Sequence, residues 1–250
     1  MSKGFLDRTL AAYQNKEPIT PYIEEALLHA NWPEEYPVKV YNKERIFDWH
    51  YHPSSDIEAG EYQLYYKFHP KWHDSYKEER PSPTLQMTFQ VGSAIHSIIQ
   101  SMFIHLEFTT QDLVEVKFRN EDRNLTGAVD ILKLTTPKNE DFIVDIKSTN
   151  RIPFEASHKY KQQLRVYQDN CPGAPDRMAI VFIEKPYPHK IKTIEVFRDD
   201  EELSELYGKW DRVQVAIRNN DKTALRPCCT GPTDPTFLTC PARGICELWN

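Results

Sequence analysis

The sequence lacks any apolar run long enough to cross a bilayer, any internal repeat and any low-complexity block. A transmembrane helix needs about 20 consecutive apolar residues, so no transmembrane helix is expected. The first residues, Met1-Ser2-Lys3-Gly4, lead into a mixed polar segment and not into the apolar stretch of a signal peptide. These absences predict a protein without membrane contact in a reducing cytoplasm.

Positive charge is in deficit, because 31 Lys and Arg residues stand against 37 Asp and Glu residues and the net charge is -6. A uniformly negative surface repels nucleic acid, which argues against a protein that coats DNA non-specifically. A metal-dependent nuclease is not excluded, since lysines in a cleft and bound cations offset acidic side chains locally.

The chain length of 250 residues and the mean hydropathy of -0.64 predict one large domain, or one domain with appendages. Apolar periodicity predicts the order helix, strands, helix, strands, helix, which favours an α/β (α+β) class with a central mixed β-sheet flanked by helices. The capping box Ser55-Asp56-Ile57-Glu58 starts the first of these helices, and the second is expected to be buried. We expect helices over about 56–68, 84–106, 155–169 and from 199 onward, and strands near 112–120, 124–134, 141–147, 179–184 and 191–197.

Two acidic residues and one lysine end neighbouring apolar strands. Asp130 follows Gly127-Ala128-Val129, and Asp145-Ile146-Lys147 follows the next strand. Side chains two apart on a strand share a face, so a hairpin would bring both carboxylates and the ammonium together. Two carboxylates repel each other unless a hard cation such as Mg²⁺ joins them. The lysine is then placed to orient a water or to stabilise a phosphate.

Four further residues extend this pattern, although each has an ordinary structural interpretation by itself. His96 lies on the apolar helix, where a single histidine is usually a hydrogen-bonded core residue. Glu115 alternates with valines and is compatible with the solvated face of an edge strand. Gln163 and Tyr167 are four apart on one predicted helix and would suit a surface hydrogen bond.

Together these residues resemble the PD-(D/E)xK nuclease superfamily, and within it the RecB-like exonucleases. The motifs follow the same order along the chain, namely Gly92-Ser93-Ala94-Ile95-His96, Glu115, Gly127-Ala128-Val129-Asp130, Asp145-Ile146-Lys147 and Gln163 to Tyr167. The resemblance covers roughly residues 53–250, and the order of several motifs is more specific than any one of them.

The resemblance implies a restriction-endonuclease-like core with Mg²⁺ or Mn²⁺ bound by His96, Asp130, Asp145 and the carbonyl of Ile146. Lys147 would serve the attacking water, and Glu115 would join the catalytic set. The resemblance also places Gln163 and Tyr167 against DNA near the cut. Lys161 and Arg165 lie on the same predicted helix, where they are positioned to follow a phosphate backbone.

Four of the five cysteines are concentrated in the last 25 residues, as Cys228, Cys229, Cys240 and Cys246. In a cytosolic chain such clustering favours metal binding over disulfides, and a tail broken by four prolines needs a staple to be ordered. The RecB-like branch that includes CRISPR-associated exonucleases carries an iron–sulfur cluster with a Cys-x₅-Cys pair near the C-terminus, as at Cys240 and Cys246. That branch also has an upstream cysteine, which is missing here near Gly60. Four thiolates suit a [4Fe–4S] cluster or zinc.

We therefore expect three regions: residues 1–52 of unknown role, a PD-(D/E)xK nuclease core over 53–226, and a cysteine-rich metal-stapled tail over 227–250. The expected activity is a Mg²⁺- or Mn²⁺-dependent DNA exonuclease in recombination, repair, or phage or CRISPR-related processing. Its substrate would be linear or single-stranded DNA ends, in a bacterial, archaeal or phage-infected cell, with possible self-association or partner proteins. A structure-specific endonuclease, an inert DNA-binding subunit and a zinc-stapled interaction module are the alternatives.

Overall fold

A computed structural model describes residues 17–29, 48–76, 82–186 and 189–247 of the protein. Most of the expected N-terminal region, residues 1–16 and 30–47, lies outside the described residues. Within the described ranges no helix is long and apolar enough to cross a membrane. The elements are α1 (Thr20–His29), α2 (Pro53–Asp56), α3 (Glu61–Phe68), α4 (Pro83–His105), β1 (Val114–Asn120), β2 (Leu125–Thr135), β3 (Asp141–Thr149), α5 (His158–Asn170), β4 (Arg177–Glu184), β5 (Ile191–Val196), α6 (Asp200–Asn219) and α7 (Pro235–Leu238).

The five strands form one sheet in the order β1-β2-β3-β4-β5. Strands β1, β2 and β3 pair antiparallel, β3 and β4 pair parallel, and β5 returns antiparallel to β4. A parallel pair needs a crossover connection, and α5 supplies it between β3 and β4. The expected central mixed sheet flanked by helices is confirmed.

Helices cover both faces of the sheet, so the central strands are apolar on both sides. Along β4, Ala179 and Val181 pack on the face that also receives Ile23 of α1 and Phe103 of α4. The alternate residues of β4 pack on the other face, against α3, α5, α6 and the C-terminal tail. The sheet therefore lies between two apolar layers. Helices α1 and α4 form one layer, and α3, α5, α6 and the tail form the other.

The prediction of one continuous helix over 56–68 is wrong. The chain forms the short helix α2, then a break over 57–60, and then α3. The buried carboxylate of Asp56 accepts hydrogen bonds from the backbone N–H of His52 at 2.9 Å and from Lys67 Nζ at 2.6 Å. Gly60 is extended at φ -71° and ψ 160° and caps the start of α3. The local capping signal is thus overridden by contacts with distant parts of the chain.

The expectation of a buried helix over 84–106 holds for only half of α4. Its C-terminal half contributes Ile99, Met102 and Phe103 to the core, whereas Met87 and Phe89 near its start are exposed. A helix of 23 residues is about 35 Å long, and its first two turns extend past the core.

Helix α6 fastens the break between α2 and α3 to the body of the protein. Lys209 Nζ donates hydrogen bonds to the carbonyl oxygens of Ile57 at 2.5 Å and Ala59 at 3.1 Å. Arg212 donates to Oε1 of Glu61 through two nitrogens, at 2.6 and 3.1 Å. Because these carbonyls and the carboxylate belong to one short segment, its position is set from α6.

The C-terminal tail packs against the same segment. A Cβ placed at Gly60 would lie 2.1 Å from the Cβ of Cys228, so no larger side chain fits there while Cys228 is in place. The tail also buries Phe237 and Ala242 in the core, which is more apolar contact than its sequence pattern predicted. Cys228 of the tail therefore packs directly against Gly60, which joins the tail to the start of α3.

We predict that Gly60→Ala destabilises the protein by about 1–3 kcal/mol, because a methyl group forced into a packed contact must displace the tail. Thermal unfolding would measure the loss. Gly231→Ala in the same tail is the matched control, since a Cβ there meets no atom within 4 Å. Equal melting temperatures for the two variants would show that the tail does not pack on Gly60.

Candidate active site

The site forms where β2 and β3 separate. Their paired stretch ends at Ile131 and Val144, and Asp130 and Asp145 are the next residues on the two strands. Beyond that pair the backbone N–H of Ile146 donates to Oδ2 of Asp130 at 2.6 Å. The Asp130 side chain therefore takes the place of a strand partner, and it lies in the gap between the strands.

Asp145 and Lys147 share one face of β3, as their spacing predicts. Lys147 Nζ lies 2.9 Å from Oδ1 of Asp145 and donates a hydrogen bond to it, and it lies 2.7 Å from Oδ2. Oδ2 is thus in ion-pair contact with the ammonium, although among the described residues it accepts no well-aligned hydrogen bond. The ammonium also lies 5.1 Å from the ring centroid of Tyr160, within range of a cation–π contact.

Helix α4 approaches Asp130 from the other side with two side chains one turn apart. His96 Nδ1 lies 3.5 Å from Oδ2 of Asp130. Gln100 Nε2 donates to the backbone carbonyl of Asp130 at 3.2 Å and to Oε1 of Glu115 at 2.8 Å. One helix face thus contacts the carboxylate and the backbone of the same residue.

Glu115 has an unusual backbone, with φ at 54° in the left-handed region. Its neighbours on β1, Val114 and Val116, are two apart yet pack into opposite core layers. The same exchange occurs on β2 between Val129 and Ile131. The strand pair therefore turns over at Glu115 and Asp130, which exposes both side chains at the cleft.

Gly127 leaves room for the aromatic wall of the site. A Cβ at this position would lie 2.7 Å from the ring of Phe118 and 3.3 Å from the ring of Tyr167. Gln163 Nε2 donates to the hydroxyl oxygen of Tyr167 at 2.6 Å, and both side chains are buried. The predicted pairing of Gln163 and Tyr167 on one helix face is thus seen in α5.

A cleft of about 740 Å³ brings most of the predicted residues together. Two predicted DNA contacts, Lys161 and Arg165, do not line it. Arg165 is buried at the α5–α6 contact, where it pairs with Glu202 and donates to the carbonyl of Phe197 at 2.9 Å. The predicted residues in the cleft wall are His96, Glu115, Asp130, Asp145, Lys147, Gln163 and Tyr167.

The cleft also holds residues that the motifs did not reveal. Lys117 stands two positions after Glu115 on β1, and this strand spacing was an available signal. Phe89, His52 and Lys185 come from α4, the segment before α2 and the end of β4, and no sequence spacing links them. Gln100 was also missed, although it lies four positions after His96.

The two carboxylates differ in acidity because their surroundings differ. Burial raises the pKa of Asp145 to about 6, with Lys147 opposing and Asp130 reinforcing the shift. Burial also acts on Asp130, but His96, Lys147 and the Ile146 N–H outweigh it and lower its pKa. Burial lowers the pKa of His96, yet the Asp130 carboxylate more than offsets this and the pKa is raised overall. The surroundings of the two carboxylates thus separate their pKa values, a pattern also known for paired catalytic carboxylates.

The donor chemistry fits a divalent cation, although the side chains are not gathered around one. Among the described residues, no three His, Cys, Asp or Glu side chains surround a single point closely enough to hold a metal ion. Asp145 is instead paired with Lys147, whose ammonium lies beside both of its carboxylate oxygens. Two carboxylates and an imidazole are a ligand set that Mn²⁺ and Mg²⁺ accept.

The tail cysteines are near enough to affect one another's pKa, but among the described residues no three of them surround a point closely enough to hold a metal ion. Cys229 and Cys246 are buried, and Cys228 and Cys240 are half-buried. Burial raises the pKa of Cys228 to about 11, and the nearby Cys229 and Cys240 add to the shift. Cys171, by contrast, lies in the core at the end of α5, where burial raises its pKa to about 12.

Comparisons with known proteins do not assign this chain to a family. No family model matches the chain, and no curated protein matches it. A solved structure titled "Crystal structure of SSO0001" is similar with a TM-score of 0.44 and 14% identity, over 90% of this chain and 92% of that one.

We predict that Mn²⁺ affinity falls as the pH drops below about 6. Because the pKa of Asp145 is raised to about 6, this carboxyl is protonated below that pH and the metal must displace the proton. Protonation of His96 acts in the same direction. Each displaced proton costs about tenfold in affinity per pH unit.

Calorimetric Mn²⁺ titrations between pH 5 and 8 would test this dependence. Asp145→Asn is the matched variant, which should bind more weakly and lose the part of the pH dependence that Asp145 causes. An affinity that stays constant from pH 5 to 7 in the unmodified protein would contradict the prediction.

Proposed function

We propose that the protein is a metal-dependent deoxyribonuclease that hydrolyses phosphodiester bonds. The observation that carries this proposal is the convergence of Asp130, Asp145, Lys147 and His96 on one cleft where β2 and β3 separate. Acids of unequal pKa, an imidazole and an ammonium serve metal-assisted hydrolysis better than they serve packing, because buried charges cost stability.

Each residue has a role that its position supports. Asp130, Asp145, His96 and the carbonyl of Ile146 would hold Mg²⁺ or Mn²⁺. The metal would polarise the phosphate and lower the pKa of a bound water. Lys147, which pairs with Asp145 in the cleft, would serve the attacking water or stabilise the developing charge on the phosphate. Glu115 would complete the acidic set beside Asp130.

We propose an exonuclease acting on linear or single-stranded DNA ends, in recombination, repair, or phage or CRISPR-related processing in a cytoplasm. The Gln163 and Tyr167 pair in the cleft wall favours this branch over an endonuclease on the same core. End-labelled linear DNA and closed circular DNA, incubated with Mg²⁺ or Mn²⁺, distinguish the two. Release of nucleotides from linear DNA alone identifies an exonuclease, and nicking of the circle identifies an endonuclease.

A metal centre bound by Cys228, Cys229, Cys240 and Cys246 is the second part of the proposal, with [4Fe–4S] preferred to zinc. The mutual effect of the thiols on their pKa values supports their proximity. The contact of Cys228 with Gly60 supports a centre that joins the tail to the start of the core. Binding energy at such a centre becomes folding energy.

We predict that Asp130→Ala and Asp145→Ala each abolish cleavage, and that each also lowers the melting temperature because the Ile146 N–H or the Lys147 ammonium loses its partner. Lys147→Ala should lose turnover more than DNA affinity, because its interaction develops in the transition state. Single-turnover cleavage and DNA binding would be measured for each variant.

Asp141→Ala provides the matched control for these substitutions. It removes a carboxylate from β3, the strand that carries Asp145. The Asp141 carboxylate pairs with Lys133 at 2.9 Å on the surface and lies outside the cleft. Its activity should be normal. Near-normal cleavage by Asp130→Ala or Asp145→Ala at saturating Mn²⁺ would remove that residue from the metal site.

We predict that protein purified without oxygen is brown and contains iron and acid-labile sulfide in near-equal amounts. Cys228→Ser should lose the colour and unfold at lower temperature, whereas Cys171→Ala should keep the colour because Cys171 is buried at the end of α5 and is not one of the four proposed ligands. Zinc without iron would exclude the cluster but keep the staple. Protein that binds neither metal would exclude both.

A further inference from the structure

We propose that Gln100 is a positioning residue, whose side-chain amide orients Glu115 and the backbone at Asp130 for metal binding. The inference rests on the proposed metal site and adds a residue to it that has no ligand role of its own. Helix α4 would then contribute two side chains to the site, His96 and, one turn later, Gln100.

The first observation is that one buried nitrogen makes both contacts. Gln100 is buried, and its Nε2 donates to Oε1 of Glu115 at 2.8 Å and to the carbonyl oxygen of Asp130 at 3.2 Å. A side-chain amide has two N–H groups, so both are used. These contacts join α4 to β1 and to β2 at the two residues that lie opposite each other in the strand pairing.

The second observation is the backbone of Glu115. A φ of 54° is sparsely populated for a residue with a side chain, and it persists only where the surroundings hold it. The bond from Gln100 is the contact that holds the Glu115 carboxylate at the cleft. Glu115 stands opposite Asp130 in the β1–β2 pairing, and both side chains line the cleft.

The third observation is that Asp130 is held through two of its oxygen atoms, the carboxylate Oδ2 and the backbone carbonyl oxygen. Its carboxylate contacts Ile146 N and His96 Nδ1, and its carbonyl accepts from Gln100. Metal ligands bind tightly when a surrounding shell of hydrogen bonds fixes their orientation, and loss of such a bond typically costs 10- to 100-fold in metal affinity. Gln100 provides hydrogen bonds to the Glu115 carboxylate, next to the proposed metal ligands, and to the backbone of the proposed ligand Asp130.

Gln100→Met is the direct test, because it keeps the length of the side chain and removes both N–H donors. Calorimetry with Mn²⁺ should show an affinity about tenfold weaker than that of the unmodified protein. Gln100→Asn, which keeps a buried amide but is one carbon shorter, should weaken Mn²⁺ binding in the same direction. Gln86→Met, at an exposed position near the start of α4, is the matched control and should bind Mn²⁺ normally.

A double-mutant cycle with Glu115→Gln separates positioning from general packing. If Gln100 acts through Glu115, then Gln100→Met should weaken Mn²⁺ binding less in the Glu115→Gln background than in the unmodified protein. Fully additive losses, or unchanged Mn²⁺ affinity in both Gln100 variants, would overturn the inference while leaving the metal site intact. Failure of the unmodified protein to bind Mn²⁺ would overturn the proposed function itself, and with it this inference.

Discussion

The hydrogen bond from the Ile146 backbone to the Asp130 carboxylate is the contact on which the site depends. Two paired strands normally satisfy each other's N–H groups, and here one side chain replaces a strand partner. Because the Asp130 carboxylate accepts this hydrogen bond, β2 and β3 can diverge without leaving the Ile146 N–H unpaired. The divergence makes room for Asp145, Lys147 and the cleft, so the shape of the site and the chemistry of its acids have one origin.

The electrostatics follow from that arrangement. Burial penalises both carboxylates, yet only Asp145 has a raised pKa, because Asp130 receives His96, Lys147 and a backbone N–H together. Lys147 contributes to both acids and has its own pKa raised by them, against the effect of burial. The overall negative charge of the chain therefore says little about the cleft, where cationic and acidic groups are placed in contact.

Much of the fold was predictable because it is encoded in local periodicity. All five strands and the long helices were located, and the spacing of Asp145 and Lys147 gave their shared face. The break before α3 was not predictable from local sequence. It depends on contacts of Asp56 with Lys67, of the segment 57–59 with α6, and of Gly60 with Cys228. Arg165 was misplaced for the same reason, because its partner Glu202 lies on another helix. Gln100 and the left-handed Glu115 were missed, as they matter only once β1, β2 and α4 are assembled.

The contacts around Glu61 have a consequence for the order in which the chain assembles. The cleft residues from His96 to Tyr167 lie on consecutive elements, and contacts between neighbours in sequence form quickly. Glu61 accepts a hydrogen bond from the backbone N–H of Arg226, which is 165 positions away. During synthesis the cleft strands can therefore pair while the segment 57–61 still awaits α6 and the tail. We expect misassembly to concentrate at that late-closing corner, and proteolysis of a nascent or partly unfolded chain to begin there.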